Sequence, residues 1–207
     1  MTRQLAIGYN NLQKSEFIES ENLKIKYYKN YFTLDESDLY ISKLRNDIKW
    51  KSETATIWGK KVVMKRKIAW YGDEGKSYTY SGLTVHPNKW NEVLLEIKQR
   101  VEQVSSTEFN SVLLNDYSSG EVGMGWHSDD EKELGRNPVI ASVSFGVERD
   151  FFLKHKTKND LPKKTINLKN GSLLLMLGST QHYWNHSIPK RMRVKKQRIN
   201  LTFRKIL

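Results

Sequence analysis

His127 and Asp129 stand two residues apart at the end of the stretch Leu113–Glu131, which begins apolar and then passes through three glycines. On an extended segment, side chains at i and i+2 point to the same face. An imidazole and a carboxylate placed that way can bind one metal ion together. Two protein ligands leave such a site incomplete, and the segment His182-Tyr-Trp-Asn-His186-Ser-Ile-Pro offers two candidates for a third. His182 and His186 are four residues apart, so on a strand they would share a face. Two histidines and one carboxylate on one side of a metal form a facial triad that suits Fe(II) oxygen chemistry and leaves positions open. A lone His-x-Asp arises often by chance, and its plain alternative is a turn with solvated charges.

The C-terminal run Arg198-Ile-Asn-Leu-Thr-Phe-Arg204 changes the balance. It alternates as a strand with one polar face: Arg198, Asn200, Thr202 and Arg204 on one side, Ile199, Leu201 and Phe203 on the other. Two arginines on one face can fork onto two carboxylates, so the pattern suits a small dicarboxylate.

Residues 1–30 are polar and irregular and read as a loosely ordered extension with one strand at Leu23–Tyr28. Thr33 and Glu36 have capping-box spacing, and Leu34, Tyr40, Ile41, Leu44 and Ile48 recur near helical period, with Trp50 closing the helix. Residues 51–72 read as strands joined by a turn at Gly59-Lys60-Lys61, which puts Ile57 and Trp58 at a hairpin tip. Tyr78 and Tyr80 share one face of a further strand. Trp90, Val93, Leu94, Ile97, Val101 and Val104 form the stripe of a helix predicted to start near Pro87 and run to about Ser105, against the outer face of the main sheet. Strands are predicted at Phe109–Tyr117, Val139–Gly146, Arg149–His155, Thr165–Leu168, Ser172–Leu177, His182–Ser187 and Gln197–Arg204. Seven strands after two helices suggest an α+β chain with a double-sheet jelly-roll core.

At 207 residues the chain is one domain by length. Zero cysteines exclude disulfides and thiolate metal sites, so a metal must use His and carboxylate. Neither a signal-peptide core nor an apolar run of membrane-spanning length is visible, which predicts an intracellular, non-membrane protein: nuclear in a eukaryote, cytoplasmic in a bacterium. The net charge of +12 favours a polyanionic partner, nucleic acid ahead of membrane.

Several motifs together, in order from about Tyr31 to the C-terminus, resemble the AlkB family: Asn115-Asp-Tyr117, His127-Ser-Asp129-Asp-Glu131, Ala141-Ser-Val-Ser-Phe-Gly146, His186-Ser-Ile-Pro189 and Arg198–Arg204. The family comprises Fe(II)/2-oxoglutarate dioxygenases that remove alkyl groups from nucleic-acid bases on a double-stranded β-helix. The resemblance implies a catalytic domain over 31–207, with a nucleotide-recognition lid at about 51–82 and the β-helix at about 109–207. It selects His186 over His182, because the family's arginine falls twelve residues after its distal histidine. It implies Fe(II) on His127, Asp129 and His186, 2-oxoglutarate on Arg198, Tyr117 and Asn115 at one end and on Arg204 and Asn200 at the other with Thr202 nearby, and O2 as the second cosubstrate. The reaction it implies ends in succinate and formaldehyde, from bases such as 1-methyladenine and 3-methylcytosine flipped out of the stack.

For substrate contacts the resemblance implies an apolar finger at Ile57-Trp58-Gly59, a clamp of Tyr80 and His127 around the base with Tyr78 nearby, and Asp130 and Glu131 at the base edge. The basic run Lys190-Arg191-Met-Arg193-Val-Lys195-Lys196 follows the site and is expected to grip phosphates; His155 is expected to meet solvent or phosphate. Alkylated DNA, bound by a monomer, is the expected substrate. RNA demethylation, protein hydroxylation and a non-catalytic binding module on the same barrel are the alternatives.

Overall fold

In the run Arg198–Arg204, Ile199, Leu201 and Phe203 are fully buried on one side, while Arg198, Asn200, Thr202 and Arg204 line a cavity on the other. Such alternation makes one layer of a two-sided strand. The computed structural model describes residues 14–57, 60–76, 78–80 and 83–207, with side chains described outside 53–62 and 77–85.

Strands β1 (Ser15–Ser20) and β2 (Leu23–Tyr28) are followed by helix α1 (Leu34–Asp47). Strands β3 (Lys51–Ile57), β4 (Lys60–Gly72), β5 (Tyr78–Tyr80) and β6 (Leu83–Val85) lead to helix α2 (Glu92–Ser105). Next come β7 (Ser111–Tyr117), β8 (Met124–His127), β9 (Ile140–Gly146), β10 (Arg149–His155), β11 (Lys164–Leu168) and β12 (Ser172–Leu177). The one-turn helix α3 (Thr180–Tyr183), β13 (Trp184–Ile188) and β14 (Arg198–Arg204) complete the chain. Among the described residues, eight strands form one sheet in the order β1-β2-β12-β9-β14-β7-β4-β3, and four form a second in the order β11-β10-β13-β8. All pairings within these sheets are antiparallel. This is the expected jelly-roll core.

The apolar residues divide into two layers. Tyr40 and Leu44 of α1 and Leu94, Ile97 and Val101 of α2 pack with Val112, Val143, Leu175 and Leu201 on the outer face of the large sheet. Ile140, Leu174 and Met176 pack with Phe151, Leu153, Ile166 and Trp184 between the sheets. Each large side chain so buried contributes about 1.5–3 kcal/mol. The helices therefore brace the large sheet from behind, and its other face is left to build the cavity.

The capping box predicted at Thr33 is present: Glu36 N donates to Thr33 Oγ1 at 3.2 Å and Thr33 N to Glu36 Oε2 at 2.8 Å. Trp50 closes this helix through Nε1, which donates to Leu44 O at 3.1 Å.

Three sequence expectations need correction. The strand expected at Leu23–Tyr28 is present, but Ser15–Ser20, expected as loose extension, pairs with it in a hairpin; Leu23, Ile25 and Tyr27 enter the inter-sheet core, and β2 pairs with β12. The charged residues of β1 lie on an edge strand, where they discourage further pairing, and their density disguised the strand. Helix α2 starts at Glu92, not near Pro87. Asn91 caps it by accepting from Leu94 N at 3.0 Å, while Asn88 N is held by Trp70 O at 2.8 Å and keeps the preceding turn extended. His182 lies in α3, so the expected strand at His182–Ser187 begins only at Trp184.

Candidate metal centre and the cavity around it

The three proposed ligands converge although 59 residues separate the first from the last. Strands β8 and β13 pair with His127 opposite His186, which sets the two imidazoles side by side with ring centroids 4.2 Å apart. Asp129 follows β8 directly and turns inward, its Oδ2 3.7 Å from His186 Nε2. One ligand atom from each of His127, Asp129 and His186 lies within 4.8 Å of the other two. The glycines before β8 permit this approach. A Cβ on Gly123 would stand 2.6 Å from Ile188 O, and one on Gly120 would collide with Arg191 O.

Each ligand is oriented by a second contact. His127 Nδ1 lies 2.9 Å from Gly125 O, so that nitrogen donates and Nε2 keeps its lone pair. Asp129 N donates to Gln181 Oε1 at 2.9 Å, and Asp129 Oδ1 accepts from Arg204 Nη2. The His186 ring stacks on Phe151 with centroids 5.1 Å apart. Burial is the largest influence on the Asp129 carboxyl and would raise its pKa; Arg204, then His186 and His127, more than reverse it, so the carboxyl stays anionic. Burial pushes the His186 imidazole down to about 3 against the opposing pull of Asp129. A neutral imidazole and an ionised carboxylate are the metal-binding forms.

The triad opens on a cavity of about 340 Å³. Its walls include Ile68, Leu113, Phe151 and Ile188, and polar groups from β7 and β14 line it: Asn115, Tyr117, Arg198, Asn200, Thr202 and Arg204. Arg198 is 1% exposed, yet its Nε and Nη1 have no hydrogen-bond partner among the described residues; only Nη2 is used, donating to Ser144 Oγ at 2.9 Å. Its guanidinium lies 5.2 Å from the Tyr117 ring centroid. Burial lowers the pKa of Arg198 to about 10, which still leaves it charged at neutral pH. A buried cation with two idle donors facing a cavity needs an anion. Both the 2-His-1-carboxylate donor set and this cradle thus fit Fe(II) and a small dicarboxylate.

Asn200 lines the cavity as well. Its Nδ2 donates to Ser142 Oγ and Val143 O, both at 2.8 Å, and its Oδ1 accepts from Thr202 Oγ1 at 3.2 Å. These bonds fix the Asn200 side chain on the cavity face of β14, between the two arginines.

Among the expected substrate contacts, Glu131 lines the cavity, whereas Asp130 is held by Lys156 at 2.7 Å. Arg191 forks onto Asp150 through Nε and Nη2 at 3.0 and 2.7 Å, which ties down the basic loop; Lys190, Arg193, Lys195 and Lys196 stay exposed. Trp58 and Gly59 lie outside the described residues, as do the side chains of Ile57, Tyr78 and Tyr80. His182 is exposed and accepts from Asn137 N at 3.1 Å through the Nε2 that a ligand would need. His155 does not face solvent or phosphate: it is 6% exposed beside Trp184, and its Nδ1 accepts from Thr157 N and Lys158 N. The backbone turn after β10 needs that acceptor, which a Lys-His-Lys triplet does not reveal.

Two residues of the site have no sequence signal. Gln181 is fully buried and steers Asp129. Arg149, also buried, donates to Val122 O at 3.0 Å and Pro189 O at 2.7 Å, locking the glycine loop to the end of β13, and lies 5.9 Å from the Tyr117 ring.

The family profile of the 2OG-Fe(II) oxygenase superfamily matches residues 24–204. The DNA oxidative demethylase ALKBH2 of Mus musculus is 46% identical over 157 residues, covering 73% of this chain and 66% of that protein. The alpha-ketoglutarate-dependent dioxygenase alkB homolog 3 of Homo sapiens is 37% identical over 191 residues, covering 88% of this chain and 66% of that protein. The chain thus spans just under two thirds of the length of these curated relatives. The solved structure of OsALKBH1 matches the fold with a TM-score of 0.62 at 16% identity, over 93% of this chain and 100% of that one.

Proposed function

The chain belongs to the 2OG-Fe(II) oxygenase superfamily and, within it, to the AlkB family, and on that footing we propose that it removes alkyl groups from N-alkylated bases in DNA. The observation that supports this most is the His127–Asp129–His186 cluster opening on the same cavity as the unsatisfied donors of Arg198. His127, Asp129 and His186 would hold Fe(II). When bound, iron with 2-oxoglutarate and O2 supplies the hydroxylation of an N-alkyl carbon, with succinate as coproduct and formaldehyde released from the hydroxylated group.

The protein's own residues prepare that chemistry. Arg204 fixes Asp129 in its anionic form and in one orientation. Arg198, backed by Tyr117, keeps two guanidinium donors available for an anion in the cavity. The apolar walls at Leu113, Phe151 and Ile188 exclude water and strengthen the Arg204–Asp129 ion pair. Glu131 places negative charge in the cavity, which suits a cationic lesion such as 1-methyladenine or 3-methylcytosine. A base within a stack cannot reach a cavity this deep, so the substrate base must be extruded.

The deciding experiment incubates the protein with Fe(II), 2-oxoglutarate and a DNA oligonucleotide carrying 1-methyladenine. Loss of one methyl group per succinate formed is the expected result. Succinate formed without any change to the DNA, but with hydroxylation of an added protein, would replace DNA repair by protein hydroxylation. Loss of methyl groups from RNA alone would favour the RNA demethylase.

A further inference from the structure

Among the described residues Trp126, 39% exposed, is the most exposed tryptophan. It sits on β8, the edge strand of the four-stranded sheet, immediately before the metal-ligand candidate His127. On β13 and β10 the residues Trp184, His186, Phe151 and Leu153 face the interior, so Asn185 and Lys154 face outward. Lys154 reaches across β13 on that outer face, and its Nζ lies 4.6 Å from the Trp126 ring centroid.

Other lysines of this region have carboxylate partners: Lys156 holds Asp130, Lys158 holds Glu21 and Lys169 holds Glu148. Lys154 has no such ion pair among the described residues. An ammonium over one face of an indole fixes the ring and leaves positive potential beside it.

From these contacts we infer that Trp126 and Lys154 form a stacking platform for an unpaired base flanking the target, with Lys154 on the adjoining phosphate. The occupant is a single strand of nucleic acid. Its bases offer π-faces to an indole, its phosphates match the uncompensated lysine, and the +12 chain favours a polyanion. A paired base already has its stacking partners and gains little from an indole. The platform grips such a strand independently of the β3–β4 hairpin. The inference rests on the dealkylase reading and adds to it the form of the strand.

The test compares the parent, Trp126→Ala, Trp126→Phe and Lys154→Ala. Anisotropy would report binding of a labelled ten-nucleotide single strand, and indole emission would report stacking. Trp126→Ala should bind on the order of ten-fold more weakly and Trp126→Phe near the parent; Lys154→Ala should lower the salt slope by about 0.7. The parent's indole emission should be quenched on binding, and Trp126→Phe should lose most of that quench. Parent-like binding by Trp126→Ala, or quenching that survives in Trp126→Phe, overturns the platform. The second criterion decides even if the alanine variant does not fold. A parent that dealkylates DNA while showing either of those results loses only the platform; a parent that dealkylates no DNA loses the reading beneath it.

Discussion

Each residue of the triad is as good a ligand as its own support allows. His186 is buried, neutral and stacked on Phe151, whereas His182 is exposed and spends its Nε2 on a loop amide. His186→Ala is therefore expected to abolish both metal binding and succinate formation, and His182→Ala to leave both within about two-fold of the parent while costing about 1 kcal/mol for one surface hydrogen bond. Metal content of the purified variants and succinate release check this; loss of metal on changing His182 alone would reverse the assignment. Arg198 gives a sharper contrast, because its cost and its use fall in different states. Without an anion it is a buried cation with idle donors, so Arg198→Met should stabilise the ligand-free protein by about 1–2 kcal/mol, or several degrees in Tm at about 2–4 °C per kcal/mol. The same variant should raise the KM for 2-oxoglutarate by at least an order of magnitude, since a fork onto a carboxylate is lost. A Tm that drops, with an unchanged KM, would show that Arg198 is structural.

At the scale of elements, the basic loop and the β3–β4 hairpin call for different tests. Arg191 anchors the 190–196 loop through Asp150, so Lys190, Arg193 and Lys195, three of the loop's exposed cations, are the ones to test as phosphate contacts. Neutralising those three should reduce the salt dependence of nucleic-acid binding by about 0.7–0.9 of a log unit per lost phosphate contact. An unaltered slope would place the loop away from the substrate. The finger expected at Ile57-Trp58-Gly59 is tested by Trp58→Ala. A side chain that fills the gap of an extruded base offsets unstacking worth a few kcal/mol in a duplex and nothing comparable in a single strand. Repair of methylated duplex should fall at least ten-fold and that of the matching single strand less than three-fold. Equal losses on both would make Trp58 a packing residue.

For the whole molecule, the site makes the metal-free fold sensitive to acid. His186 has a folded pKa of about 3 against an ordinary value near 6.5, so in the unfolded chain it binds a proton that the folded one refuses. The stability it contributes is fully present above about pH 6.5 and is lost as the pH falls towards 3. Asp129, whose folded pKa lies below the usual carboxylate value, shifts the same way at lower pH. The denaturant midpoint of metal-free protein should therefore fall between pH 7 and pH 5, and His186→Phe should flatten that fall. An equally steep fall in the variant would locate the acid sensitivity elsewhere. No helix among the described residues is long and apolar enough to cross a membrane.

The sequence alone determined what short-range periodicity can carry. Alternation along Arg198–Arg204 named the cavity face of β14, the spacing of Thr33 and Glu36 named a helix start, and the i, i+2 spacing of His127 and Asp129 named half a metal site. The motif resemblance added His186 and the cosubstrate, as no local pattern could. Only the tertiary structure decided what depends on partners distant in the chain. The pairing of β8 with β13 brings His186 to His127, Gln181 steers Asp129 from 52 residues away, and Arg149 joins two loops. Polar side chains such as Arg191 and Asp130 could not be assigned from their neighbours in sequence, because each is held by one distant group that folding alone brings within reach. Hydrophobic burial is read from pattern because any apolar neighbour satisfies it; a hydrogen bond or an ion pair needs one group, at one distance and angle.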